Sequence, residues 1–200
     1  MVNLFWFYYS WFRDNKQSEI IKIRLTNEAR QKAANRLRLY ALQHMKKWQK
    51  QHLEYRLQAI KEYQSKIKNP YFVSGLVIYW GEGDKKLKNG IVRVSNIDYK
   101  MLKIFILFLN KTCLIPLEKI KIWLLLYNDL DKKQCIKYWS KNLDIPKNQF
   151  YKPTYIKGRE KGKKLSYGVC TVQVCNRELK EKIIKWIDLY SSKLIQAGIV

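Results

Sequence analysis

The sequence predicts an α+β fold, in which an antiparallel or mixed sheet is covered by helices on one face and preceded by a long basic helical segment. Helix-like and strand-like segments interleave irregularly after residue 70. Three of the four strand-like segments have one aliphatic side, and no helix breaker occurs between Thr26 and Asn69. We therefore expect two regions: an aromatic N-terminal segment with a basic helical arm over 1–69, and an α+β domain over 70–200.

The arm is predicted to begin at Thr26, which can cap a helix whose first turn carries Glu28. Its apolar stripe changes register near residues 49–51, which predicts a bend. From Lys22 to Lys68 the chain has 13 Lys or Arg against three Glu, so its polar face carries one sign of charge. This pattern fits both a solvated arm that packs on its own domain and an arm that follows phosphates.

The α+β domain is predicted to contain four helices and four strands. The helices are expected at 71–80, 101–109, 132–142 and 178–190, and the strands at 91–94, 119–127, 150–156 and 166–175. Asp98 is placed to cap the second of these helices. We expect the last two strands to form a hairpin with the glycine-containing basic loop 157–164 at its tip.

The charge balance narrows the choice of partner. The chain carries 40 Lys and Arg against 16 Asp and Glu, a formal net charge of +24. Charge of this size opposes compaction unless an anionic partner neutralises it, and the usual partners are nucleic acid or an anionic membrane surface.

Other features indicate an intracellular protein without a membrane partner. The segment MVNLFWFYYSWF lacks a basic start and a cleavage site, and about 12 residues cannot span a bilayer. The four cysteines form no CxxC pair, so we expect no zinc site and thiols kept reduced. We predict a cytoplasmic location, associated with the nucleoid of a prokaryote.

One side of the predicted sheet is suited to nucleic acid. Side chains alternate between the two faces of a strand, and here one face is aliphatic while the other mixes cations, aromatic rings and amides. Cations neutralise phosphates, while Gln, Thr and Arg can address base edges. The predicted nucleic-acid-binding residues are Arg93, Lys119, Lys121, Trp123, Tyr167, Thr171 and Gln173, together with Arg159 and Lys161 of the basic loop.

The segment LVIYWGEG, residues 76–83, resembles the last eight positions of the LAGLIDADG motif of homing endonucleases. In that family the motif forms a helix that packs against a second copy, and its terminal acid binds a divalent metal beneath a DNA-binding saddle of strands. The resemblance implies that Glu82 is this acid and a metal ligand. It also implies that helix packing involves Val77, Trp80, Gly81 and Gly83.

The resemblance extends over residues 71–192, through YWGEGDK, VSNIDYKMLKIFILFL, IKYWSKNLDIPKNQF and LSYGVCTVQV, and points to a bacterial branch of the family. Members of that branch often carry an N-terminal helix-turn-helix, of which SWFRDNK and IRLTNEARQ resemble only the tail. We therefore expect a truncated helix-turn-helix before the arm.

These observations predict a protein that binds double-stranded DNA through a LAGLIDADG-like domain. The resemblance implies one alternative, a homodimeric endonuclease that hydrolyses phosphodiesters with Mg²⁺, in which Glu82 is catalytic and Lys163 or Lys164 stabilises charge. A further alternative is a non-catalytic RNA-binding module, because exposed aromatic rings on a sheet can stack single-stranded bases.

Overall fold

A computed structural model of the chain describes the backbone of residues 3–156 and 165–198, with side chains from residue 17 onward within these ranges. The chain divides into two compact units, residues 1–51 and 52–200. The sequence had placed a boundary between the arm and the domain at 69/70. The division falls earlier because residues 52–66 contribute buried side chains, such as Ala59 and Tyr63, to the core of the second unit.

The first helix, α1, runs from Asn3 to Lys66 without interruption through 49–51. The expected start at Thr26 is therefore wrong. The Thr26 hydroxyl donates a 2.7 Å hydrogen bond to the Lys22 carbonyl, as a threonine inside a helix does, and so it caps nothing. Residues 17–51 are exposed along their whole length.

The second unit contains a four-stranded mixed sheet. Its strands are β1 (Ile91–Asn96), β2 (Lys121–Tyr127), β3 (Thr154–Ile156) and β4 (Val169–Cys175), in the spatial order β1-β4-β2-β3. Strand β4 pairs antiparallel with both β1 and β2, while β3 runs parallel to β2. The α+β class and the mixed sheet are thus confirmed.

The expected hairpin between the last two strands is wrong, because β3 and β4 are not neighbours. All three residues of β3 are exposed, whereas β4 buries Cys170, Val172 and Val174. A central position buries more apolar surface than an edge, so the longer and more apolar β4 gains more there.

The described residues of the second unit also form the α-helices α2 (Pro70–Glu82), α3 (Tyr99–Leu107), α4 (Lys132–Leu143) and α5 (Arg177–Ala197). A side chain caps each N-terminus, namely Asn69, Asp98, Asp131 and Asn176 in that order, which confirms the prediction for Asp98. A π turn, Phe108–Thr112, continues α3. Gly75 lets α2 approach this turn, because a Cβ there would lie only 2.1 Å from the Phe108 ring.

The core lies between the helices and one face of the sheet. The aliphatic strand side chains are fully buried there, among them Val92, Ile122, Leu124 and Val172. The helices contribute the larger residues Phe72, Tyr79, Phe105, Trp139 and Trp186. The opposite face of the sheet keeps partly exposed side chains, so the predicted sorting of strand residues into two faces is confirmed for β1, β2 and β4.

Candidate nucleic-acid interface

The strand register arranges the side chains of the open sheet face in rows that cross three strands. Gln173 of β4 lies opposite Arg93 of β1 on one side and opposite Lys121 of β2 on the other. In the next row, Thr171 lies between Ser95 and Trp123. Directly opposite residues have Cβ atoms about 4.5–5.5 Å apart, so each row presents one continuous surface.

The first row is the more accessible. Lys121, Gln173 and Arg93 are all partly exposed. In the second row Trp123 is partly exposed, but Thr171 is only 2% exposed and its hydroxyl lies 2.8 Å from that of Ser95. The expectation that Thr171 contacts a partner is therefore wrong. A short side chain on the central strand is shielded by its longer neighbours.

Arg93 is held on the face by an ion pair. Its guanidinium lies 2.9 Å from the carboxylate of Asp84, which comes two residues after α2. Burial raises the pKa of Asp84, but hydrogen bonds from the Lys86 amide and the Asn89 side chain, with the nearby positive charges, outweigh burial and lower it overall. Asp84 thus stays ionised at neutral pH, and it offsets part of the positive charge that Arg93 brings to the face.

Two predicted residues lie outside the strands. Lys119 belongs to a 3₁₀ turn, Leu117–Lys119, and is exposed next to β2. Tyr167 precedes β4 and stacks in parallel on Tyr138 of α4, with ring centroids 3.7 Å apart. The Trp139 indole also donates to the Tyr167 carbonyl, so this tyrosine is part of the contact with α4 and not of the sheet rows. Its assignment to the open face is wrong because β4 begins two residues later.

Four predicted residues are in the basic loop, which lies outside the described residues. They are Arg159, Lys161, Lys163 and Lys164.

The motif-like segment occupies the end of α2. Glu82 is its last helical residue and is exposed, and its side chain makes no hydrogen bond or ion pair with any described residue. Val77 and Trp80 are exposed on the same helix, and a Cβ at Gly81 would meet nothing within 4 Å.

Gly83 has the opposite environment from Gly81. It forms a bridge to Val94 of β1, and a Cβ there would lie 2.4 Å from the Tyr79 carbonyl. The end of α2 is therefore pressed against the sheet at a position that only glycine fits. Glu82 itself points away from any described partner.

Glu82 does not belong to a three-ligand metal site of the described residues. Among them, no group of three His, Cys, Asp or Glu side chains could hold a metal ion. The nearest acid in sequence, Asp84, forms an ion pair with Arg93.

A shallow pocket of about 330 Å³ opens at one end of the open face, and the sequence had not indicated it. Lys119, Lys121 and Gln173 line it together with Glu118 and Tyr151, which were not predicted as site residues. The Tyr151 amide donates to the Ile122 carbonyl, which carries the tyrosine alongside β2 before β3 begins. Phe150 is partly buried and Tyr151 is exposed, and the two adjacent aromatic residues were the available sequence signal.

Comparisons with protein-family models, with curated proteins and with solved structures find no match for the chain. Within the described residues, none of the helices has the length and apolar character needed to cross a membrane.

Proposed function

We propose that the protein binds double-stranded DNA through the open face of its sheet. The observation that carries the proposal is the row formed by Lys121 and Gln173, with Trp123 in the adjacent row. A cation, an amide and an aromatic ring on neighbouring strands supply a phosphate contact, a base-edge contact and an apolar contact. The net charge of +24 favours a polyanion as the partner.

We also propose that the second unit is a LAGLIDADG-like domain. The likeness extends over residues 71–192 and includes the motif-like segment 76–83. The position of that segment, at a helix end that bridges to β1, is compatible with it. A nucleoid location remains a prediction of the same resemblance. The segments SWFRDNK and IRLTNEARQ, which resemble the tail of a helix-turn-helix, both lie within α1 and are not separated by a turn.

The DNA-binding proposal is tested by duplex binding as a function of salt. Replacing both Lys119 and Lys121 with glutamine should lower the slope of log affinity against log salt by roughly 2, because each phosphate contact releases about one counterion. The matched control is Lys193→Gln, since Lys193 is an exposed lysine near the far end of α5. A wild-type protein that does not bind duplex DNA at low salt would rule out the proposal.

The second candidate function is a homodimeric Mg²⁺-dependent endonuclease. The observation that favours it is the exposed face of α2, where Val77, Trp80 and the open space at Gly81 leave room for another helix beside Glu82. Since Glu82 does not belong to a three-ligand metal site of the described residues, a metal would need Glu82 from each of two copies. When bound, Mg²⁺ would stabilise charge on the attacking or leaving oxygen.

The nuclease is tested by measuring oligomeric state and cleavage together. It requires a dimer in solution and Mg²⁺-dependent nicking of a random duplex library, with nicking lost in Glu82→Gln. Val77→Arg, on the exposed α2 face, should abolish both the dimer and the nicking. A monomer that cuts no library member removes this candidate and leaves the DNA-binding proposal intact.

A further inference from the structure

The pocket beside the open face is lined by side chains from three segments of the chain. The cross-strand pair Lys121 and Gln173 lines it together with Val174, Cys175, Tyr151 and the turn residues Glu118 and Lys119. Its volume, about 330 Å³, is at the lower end of the range of ~300–1,000 Å³ in which small-molecule sites fall. The space suits one small planar group better than a helix or a strand.

The turn Leu117–Lys119, which contributes Glu118 and Lys119 to the pocket lining, is held by hydrogen bonds from a buried side chain. The buried Gln149 amide donates to the carbonyls of Leu117 and Ile120, which bracket the turn. Glu118 and Lys119 thus extend from a backbone that is held in place on both sides. A preformed turn reduces the ordering cost of binding.

The lining residues provide complementary chemistry for a nucleobase. Tyr151 is an exposed ring on which a base can stack, and stacking of this kind recurs in single-strand recognition. The Gln173 amide can both donate to and accept from a base edge, as in its pairing with adenine N6 and N7. Glu118 adds an acceptor for an exocyclic amino group, and the two lysines suit the phosphate.

We infer that this pocket binds one unstacked nucleotide whose base carries an exocyclic amino group, adenine above all, with its phosphate against Lys119 and Lys121. The base must be unstacked because a base inside a duplex has no free face for Tyr151. The inference rests on the proposed function and deepens it. A DNA duplex with one unpaired adenine should then bind more tightly than the same duplex fully paired.

The experiment uses the full chain and thymine oligonucleotides that contain one adenine, one guanine or one abasic position. Binding should be tightest for the adenine probe. Tyr151→Ala should weaken that binding by about 5- to 100-fold, the range of base–aromatic stacking, and Tyr151→Phe should retain most of it. Tyr155→Ala is the matched control, because Tyr155 is 44% exposed on β3 and Tyr151 is 46% exposed.

A second measurement is independent of affinity. Cys175 also lines the pocket and is exposed, whereas Cys135 and Cys170 are buried. Burial raises the pKa of the Cys113 thiol to about 12, so this cysteine should react slowly with alkylating reagents. The adenine probe should slow alkylation of Cys175, and the abasic probe should not.

The outcomes separate the two proposals. Equal affinity for all probes, or equal effects of Tyr151→Ala and Tyr155→Ala, would overturn the nucleotide pocket while salt-sensitive duplex binding survives. Absence of any binding to duplex or single strand at low salt would overturn both. Adenine preference that depends on Tyr151, with protection of Cys175, supports the pocket.

Discussion

Two adjacent residues of α5, Lys180 and Glu181, are buried charges of opposite sign that the fold accommodates in different ways. Their relative exposures are 0% and 1%. Consecutive side chains on a helix point about 100° apart, so the two face different neighbours. Lys180 connects α5 to the end of α2 and to β1, and Glu181 connects it to the last turns of α1.

Lys180 is held by uncharged oxygens, namely one hydroxyl and two backbone carbonyls. Its ammonium donates to the Tyr79 hydroxyl at 2.8 Å, to the Ile91 carbonyl at 3.0 Å and to the Asp84 carbonyl. Burial lowers the pKa of Lys180 below its ordinary value of 10.5, although the charge of Asp84 partly opposes this. The ammonium of Lys180 therefore stabilises the loop that carries Asp84. The Asp84 carboxylate in turn forms the ion pair with Arg93 on the open face.

Glu181 is held by the side chains of His52 and Arg56, which are partly exposed to water. One carboxylate oxygen lies 2.5 Å from His52 Nδ1 and the other 2.9 Å from Arg56 Nε. The side chains of these partners are 21% and 47% exposed, so either one can turn toward solvent if Glu181 is lost. A buried charge with fixed partners should therefore matter more for stability than one with mobile partners.

The largest effect is expected for Lys180→Ala, which should lower the free energy of unfolding by about 3–5 kcal/mol. The substitution removes a fully buried side chain and its hydrogen bonds to the Ile91 carbonyl and the Tyr79 hydroxyl, while the Asp84 carbonyl keeps the hydrogen bond from Tyr79. Urea unfolding would measure the change. Lys180→Met, which restores the volume without the charge, should recover part of it, and full recovery would mean that the three hydrogen bonds contribute nothing.

Glu181→Gln should cost less, about 1–3 kcal/mol, because the amide keeps the shape and one acceptor while Arg56 can move into water. The same unfolding experiment measures it. If Glu181→Gln lowered the free energy of unfolding as much as Lys180→Ala, the expected difference between the two buried charges would be wrong. Glu178→Gln, on the exposed part of the same helix turn, is the control and should change stability little.

Asp84→Asn should lower the free energy of unfolding by about 1 kcal/mol, and it should also change how that free energy depends on pH in acid. Because the folded-state pKa of Asp84 lies below its ordinary value of 3.8, its contribution is fully present above about pH 4 and is lost as pH falls through the lowered value. Acid titration of stability should therefore be flatter in the variant. An unchanged slope below pH 4 would show that the hydrogen bonds and positive charges around the Asp84 carboxylate do not stabilise the fold.

The smallest effect is expected for Glu82→Gln, within about 0.5 kcal/mol, because this exposed carboxylate makes no contact with a described residue. Thermal unfolding checks it. Glu82 and Asp84 are two residues apart, yet we expect only Asp84 to stabilise the folded state. A clear loss of stability in Glu82→Gln would mean that the motif-like acid serves the fold and is not reserved for a partner.

The strand faces of the site could be read from the sequence, but the position of each residue on the face could not. Alternation correctly placed Arg93, Lys121, Trp123 and Gln173 on one side, because period-two geometry is local. It could not show that Thr171 is shielded, since that depends on which strands flank β4. Tyr167 was misplaced because the strand begins after it.

Lys180 and Tyr151 are residues whose spatial neighbours could not be predicted from the sequence. Lys180 lies three and seven residues before Ile183 and Ile187, on the apolar side of α5, so a lysine in a core position was visible as an anomaly. Its three oxygen partners come from distant parts of the chain and were not visible. Tyr151 came to line the pocket only when its backbone paired beside β2.

The sequence by itself determined the α+β class, the helix cap at Asp98, the aliphatic strand faces and the strong positive charge. These follow from neighbouring residues and simple periodicities. Only the tertiary structure decided the strand order β1-β4-β2-β3, the ion pair that holds Arg93, the buried position of Lys180 and the pocket beside Gln173. The physical reason is that burial and pairing are set by contacts between residues far apart in the chain, where the gain from covering apolar surface selects one arrangement among several that satisfy the same local pattern.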